Sequence, residues 1–186
     1  MVKRLMMCSI MLAFAAVPAS AQVFGSQRIS VEPYIGYGFF GDLPEAGPEL
    51  EAAMAYGARA AYQFSPQWAL FGNFQRSKPE VVNVTEAEVT VDHWSAGVEF
   101  AYVPRGGAEG MLPILMEAGL GQARYDYGGL AGGEGSDLAM NLGLASALQL
   151  SPNFAIRYGA NDYISNYAEE GITNQIFVHV GAELSF

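Results

Sequence analysis

Gln175-Ile176-Phe177-Val178-His179-Val180-Gly181-Ala182-Glu183-Leu184-Ser185-Phe186 is the stretch that decides the fold. Ile176, Val178, Val180, Ala182, Leu184 and Phe186 fall on one face of an extended strand. Gln175, Phe177, His179, Gly181, Glu183 and Ser185 fall on the other. Side chains alternate across a strand with period two, so one face meets an apolar medium and the other a more polar one. A helix would repeat its apolar residues every 3.6 positions, and this segment does not.

Working back from the C-terminus, the same alternation predicts eight strands, near Ser30–Phe40, Ala53–Phe64, Trp68–Lys78, Glu88–Val103, Pro113–Tyr127, Asp137–Leu150, Phe154–Asn166 and Asn174–Phe186. The sixth is the clearest. Leu138, Met140, Leu142, Leu144, Leu148 and Leu150 share a face on which Ser146 is the one polar member. Each strand reaches the roughly 9–11 residues that a tilted strand needs to cross a bilayer. Ser65-Pro66-Gln67 and Ser151-Pro152-Asn153 read as tight turns, and Pro104–Leu112 is a longer connection on the same side. Gly41–Ala52, Pro79–Ala87, Gly128–Ser136 and Tyr167–Thr173 are the longer connections on the opposite side. Short turns on one rim and long loops on the other are the pattern of transmembrane barrels. The expected fold is all-β, an eight-stranded antiparallel up-and-down transmembrane β-barrel.

Trp94 and Tyr102, on one face of the fourth strand, lie eight residues apart. That is roughly 26 Å along a strand and about 20 Å after a 40° tilt, close to an apolar band with an aromatic girdle at each edge.

Met1–Ala21 has the order of a secretory signal: Lys3 and Arg4, an apolar run from Leu5 to Val17, then Pro18-Ala19-Ser20-Ala21 before Gln22. The expected domains are therefore a signal peptide over 1–21 and a barrel over 22–186. The only cysteine, Cys8, falls inside the signal, so the processed chain has no thiol chemistry. Without Lys3 and Arg4, 7 basic residues stand against 19 acidic ones. That balance disfavours nucleic acid, whose phosphates call for basic surface.

The signal, the strands, the Ser-Pro turns and the last residues together resemble small outer-membrane β-barrels of the OmpA-like and opacity-protein type. His179, Gly181, Leu184 and Phe186 match the signal that such barrels present to the barrel-assembly machinery. The resemblance implies the cell outer membrane, reached through the periplasm, and a monomer among outer-membrane lipids and lipopolysaccharide. It does not extend to a peptidoglycan-binding domain after Phe186, so no anchoring role is expected.

If the apolar faces meet lipid, the other faces put Glu32, Arg59, Glu99, Glu117, Arg157, His179 and Glu183 in the lumen. Asn73, Asn141, Asn161, Gln63, Gln75 and Gln149 accompany them. A charge facing lipid at mid-depth costs about 2–4 kcal/mol, whereas inside it finds partners. Arg59 and Arg157 are each expected to bridge glutamates and so to plug an interior that side chains can fill. Arg76, Lys78 and Arg124 fall on lipid-side faces near the long-loop rim, where they could meet lipid A phosphates. The long loops concentrate acid (Asp42, Glu45, Glu49, Glu51, Glu80, Glu86, Glu88, Glu134, Glu169 and Glu170) without the spacing of an EF-hand.

Two other functions compete with a structural role for the barrel. His93-Trp94-Ser95, with Glu99 beyond, carries the residue types of a serine hydrolase, as a lipopolysaccharide-modifying enzyme would need. Two neighbours on one strand do not establish a triad, and the pair lies mid-chain on an inferred inner face. A narrow porin-like channel is the other rival. No cofactor, metal centre or catalytic residue is expected, and the loops are the surface open to an unidentified partner.

Overall fold

The computed structural model describes residues 29–41, 49–82, 89–103, 112–127, 134–167 and 171–186. Its eight strands are β1 (Ile29–Phe40), β2 (Ala53–Gln63), β3 (Trp68–Ser77), β4 (Thr90–Tyr102), β5 (Ile114–Asp126), β6 (Glu134–Ser151), β7 (Phe154–Tyr167) and β8 (Gly171–Ser185). Each pairs antiparallel with its neighbours, and β1 pairs with β8, so the sheet closes into a barrel with the expected topology. The export signal and its junction at Gln22 lie outside the described residues, as do Pro104–Met111 and the acids Asp42, Glu45, Glu86, Glu88, Glu169 and Glu170.

The alternation places most boundaries within two residues and errs at the long-loop rim. β6 begins at Glu134 rather than Asp137, and β8 at Gly171 rather than Asn174. There Asp126 pairs with Glu134, and Tyr167 with Gly171. These extensions carry polar residues on both faces (Ser136, Asp137, Thr173, Asn174), so ladder hydrogen bonds continue where the hydrophobic pattern has ended.

Lipid would replace water around the barrel, and the surface is built for that exchange. Met54, Tyr56, Leu70, Leu120, Leu138, Leu144 and Val180 are among the large apolar side chains exposed around the wall. Trp94 is 57% and Tyr102 47% exposed, on the outward face as expected. Trp94 lies against Phe74 with ring centroids 4.2 Å apart, and Trp68 against Phe100 at 4.9 Å. Cross-strand aromatic pairs of this kind add to sheet stability. The one polar residue of the β6 apolar face is accounted for: Ser146 Oγ donates to the Pro113 carbonyl at 2.7 Å.

The Ser-Pro turns close by side-chain hydrogen bonding. Ser65 Oγ accepts from the backbone N–H groups of Gln67 (3.3 Å) and Trp68 (3.1 Å), taking donors that the turn leaves unpaired. At the other tight turn, Asn153 Nδ2 donates to the Ser185 carbonyl at 3.0 Å, tying the turn to β8. The C-terminal residue seals the seam: Phe186 N–H donates to the Ile29 carbonyl at 2.8 Å. The β1–β8 register passes from Val31↔Leu184 directly to Tyr34↔Gly181, a gap at Pro33, which has no N–H to donate.

The lumen is layered along its axis. Next to the short-turn rim lies an alanine-rich zone of Ala101, Leu115, Ala145, Ala147 and Ala155. The charged residues occupy the middle. Above them, His93, Tyr163 and Phe177 form an aromatic layer, with His93 4.3 Å from Tyr163 and 5.3 Å from Phe177 between ring centroids. At the long-loop rim, Leu50 and Val81 form an isolated bridge and pack with Val89, Val91, Ala123, Tyr125, Tyr127 and Ala139.

Two glycines on opposite faces test this packing. A β-carbon on the inward-facing Gly121 would overlap the backbone carbonyl of Trp94, which the β4–β5 ladder holds in place. On the outer wall, Gly72 has open space in the same position. Gly121→Val is expected to destabilise the barrel by about 1–3 kcal/mol through overpacking, whereas Gly72→Ala should change stability by no more than about 0.5 kcal/mol. Urea titration of the two variants refolded in phospholipid vesicles checks the contrast.

Candidate functional site

Seven residues expected in the lumen reach it, and five of them converge. Glu32, Arg59, Glu99, Glu117, Arg157 and Glu183 are buried. His179 is half-buried and lies 5.1 Å from Tyr34 between ring centroids. Arg157 Nη2 donates to Glu99 Oε2 and to Glu117 Oε1, both at 2.6 Å. Its Nε lies 3.3 Å from Glu32 Oε2. Arg59 Nη2 donates to Glu99 Oε2 at 2.7 Å, and its Nε lies 2.9 Å from Glu117 Oε1. The two guanidiniums thus share the same two glutamates. The closed barrel brings them together across its lumen: β2 carries Arg59, β4 Glu99, β5 Glu117 and β7 Arg157, each on the inward set of its alternation.

Polar partners extend the cluster upward. Asn161 Nδ2 donates to Glu117 Oε2 and to Asn141 Oδ1, both at 3.0 Å, and Asn141 Nδ2 donates to Ser95 Oγ at 3.2 Å. Tyr34 OH donates to Asn73 Oδ1 at 3.0 Å, while Asn73 Nδ2 donates to Tyr163 OH at 2.6 Å. The Arg59 guanidinium also sits 5.2 Å from the Phe71 ring centroid. Higher still, the Gln175 amide donates to the Tyr125 hydroxyl. Tyr34, Tyr163 and Phe177 are lumen residues whose part in this packing the sequence reading did not single out. Their inward parity was visible, but parity alone does not say which aromatic rings meet.

His93 and Ser95 also face inward, as expected. His93 is 0% exposed and its ring is held against Tyr163 and Phe177. Ser95 accepts from Asn141. Among the described residues no hydrogen bond joins the two, and neither reaches the lipid-facing wall.

Of the assembly-signal residues, Leu184 and Phe186 stand on the outer face, and Phe186 is 66% exposed. His179 and Gly181 face the lumen. Gly181 has a structural reason of its own, because a β-carbon there would overlap the Glu32 carboxylate.

The three rim cations come together on the outer wall. Arg76, Lys78, Thr90, Asp92, Arg124 and Asp126 line an open hollow of about 250 Å³. Register sets the arrangement: Arg76 pairs with Asp92 and Asp92 with Arg124, giving alternating charge across β3, β4 and β5. Arg76 holds Asp92 through two bonds of 2.7 Å, Nε to Oδ1 and Nη2 to Oδ2. Sequence reasoning named the cations and missed Asp92, because the cross-strand pairing that brings it to Arg76 is not visible along one strand. Among the described residues no group of three or more His, Cys, Asp or Glu side chains is placed to hold a metal ion.

No family model matches the sequence, and no curated protein matches it. Solved structures do match. The chain is similar to Neisserial surface protein A, with a TM-score of 0.62 at 12% identity over 85% of this chain and 97% of that one. It is similar to the N-terminal β-barrel domain of Pseudomonas aeruginosa OprF, with a TM-score of 0.57 at 12% identity over 86% and 98% of the two chains. It is also similar to the outer membrane protein OprG from Pseudomonas aeruginosa, with a TM-score of 0.51 at 10% identity over 89% and 98%. The fold is that of small outer-membrane barrels, and the exposed apolar wall around a buried charged centre agrees with it.

Removing one member of a buried ion cluster leaves its partners uncompensated, at about 3–5 kcal/mol. Arg157→Met should therefore destabilise the barrel by about that amount, and adding Glu117→Gln should recover part of the loss. Urea unfolding of single and double variants in vesicles checks both, and additive losses would contradict a shared cluster.

Proposed function

We propose that this chain is a non-enzymatic barrel that contributes to the integrity of the outer membrane, with a lumen closed to solutes and an outer wall that engages lipopolysaccharide. A single observation carries this reading: the sequence of side-chain layers along the axis, in which ion pairs, rings and an apolar cap follow one another. Passage of a solute would require breaking the Arg59–Glu99 and Arg157–Glu117 contacts and displacing the aromatic layer above them. Eight-stranded barrels are narrow enough to be filled in this way, whereas open aqueous channels use about 16 strands or more.

The outer hollow supports the lipid part. Lipid A phosphates lie at the depth of this rim, and Arg and Lys bind phosphate through charge-assisted hydrogen bonds. Asp92 holds Arg76 in a fixed position beside Lys78 and Arg124. The barrel acts as a monomer, the assembly machinery reads His179, Gly181, Leu184 and Phe186, and the long loops are the surface open to a partner.

In planar lipid bilayers the purified protein should give no sustained large conductance, and such a conductance would overturn the closed-lumen reading. Each lost charge-assisted contact to phosphate is worth about 1.5–3 kcal/mol. Simultaneous replacement of Arg76, Lys78 and Arg124 by alanine should therefore weaken lipopolysaccharide binding by about tenfold or more. Co-purified lipopolysaccharide, quantified per barrel, checks this, and an unchanged ratio would remove the wall from the proposal.

A further inference from the structure

Glu32 points into the lumen from β1 and is 1% exposed. Neither of its carboxylate oxygens makes a hydrogen bond among the described residues. Register sets Arg59 directly opposite on β2, yet the Arg59 guanidinium turns to Glu99 and Glu117. Arg157 on β7 comes closest, with Nε 3.3 Å from Glu32 Oε2, but neither atom makes a hydrogen bond at that approach. The Arg157 Nη2 is directed instead to Glu99 and Glu117, at 2.6 Å from each. Two guanidiniums and two carboxylates thus balance one another before Glu32 is counted. On β8 the register that pairs Val31 with Leu184 sets Glu183 beside Glu32, so the facing charges are Arg59, Arg157, Glu117 and Glu183. Of the neighbouring rings, Tyr34 gives its hydroxyl to Asn73, and His179 lies against Tyr34. Gly181 closes the remaining side: a β-carbon there would overlap Glu32 Oε1 and Cγ, so the carboxyl group rests on the β8 backbone.

We infer that Glu32 holds a proton at neutral pH, so that the lumen carries an un-ionised carboxylic acid at the β1–β8 seam. A carboxylate taken out of water keeps its charge where hydrogen bonds hold the charged form, and otherwise binds a proton. Glu99 and Glu117 meet that condition through the guanidiniums, and Glu32 does not. Arg157 attracts the charged form of Glu32, but closer oxygens already share its charge. Ionised, Glu32 would place a second negative charge against Glu183 with both of its own oxygens bare. The position makes the proton consequential. β1 closes on β8 here, and the next residue, Pro33, has no N–H to give the seam. In the unfolded chain a glutamate loses its proton above about pH 4.3, so folding takes up a proton at any higher pH at which Glu32 stays neutral. Because the folded barrel then binds more protons than the unfolded chain, its stability falls as pH rises through that range. The inference is independent of the lipopolysaccharide reading, because it concerns the lumen and not the wall.

The experiment uses the protein in phospholipid vesicles, with a heavy carbon isotope placed at the side-chain carboxyl of every glutamate. At pH 7 the infrared spectrum is expected to show the carbonyl stretch of an un-ionised acid, lowered by the isotope and lowered again in heavy water. Aspartate carries no label and so cannot give the isotope shift. Glu32→Gln should remove this band, and Glu183→Gln should leave it. If Glu32→Gln does not fold, Glu32→Asp replaces it, since an aspartate there is unlabelled. Urea unfolding gives a second readout. The ratio of the wild-type unfolding constant to that of the Glu32 variant that removes the ionisation, Glu32→Gln, should rise about tenfold per pH unit between pH 5 and pH 7. Absence of the labelled band from the wild type would overturn the inference. So would a band that survives replacement of Glu32, a band that Glu183→Gln removes, or a ratio that does not change with pH.

Discussion

Arg157 and Arg59, gripping the same pair of glutamates at the centre of the barrel, are the interaction on which the rest of the structure depends. Their geometry requires β2, β4, β5 and β7 to present one inward residue each at a common depth. A slip of one residue in any of these strands would turn its charge toward lipid and an apolar side chain toward the charges. The cluster therefore specifies register as well as occupying space. It also explains the small residues around it. Gly143 lies against the side chains of Glu117 and Asn161, and Gly181 against that of Glu32, so bulky neighbours at those positions would displace the acids.

The wall divides the chemistry by depth. Around the middle, the outer face carries Ala60, Gly72, Leu120 and Leu142, and among the described residues Asp162, across from Leu142, is the acid that interrupts it. At the long-loop edge the same faces change to Arg76, Asp92, Arg124 and Asp126. Charge costs little there because it can reach headgroups and water, while its cost at the midplane keeps the belt apolar. The two ends of the lumen differ in the same physical terms. Among the described residues, large apolar and aromatic side chains gather at the long-loop end and alanines at the short-turn end.

The proposals for envelope integrity and lipid contact both rest on where charge is compensated. Arg76 is fixed by Asp92 on the outer wall. Glu99 and Glu117 are saturated by guanidiniums. Both environments pair guanidinium with carboxylate and differ in the number and position of the counter-charges.

Alternation along single strands was enough to determine the closed eight-stranded barrel, the inward set from Glu32 to Glu183 and the outward placement of Trp94 and Tyr102. A period of two depends only on adjacent residues, so it is written in the linear sequence. Membership of the rim triad was legible too, through its position at strand ends. Tertiary structure alone decided which charges meet. Arg76 with Asp92, Arg59 with Glu99 and Arg157 with Glu117 are 16, 40 and 40 residues apart, and cross-strand register sets each pairing. It also decided that Leu50 and Val81, read as loop residues, cap the lumen. A contact between strands depends on the register of both, so it cannot be read from either alone.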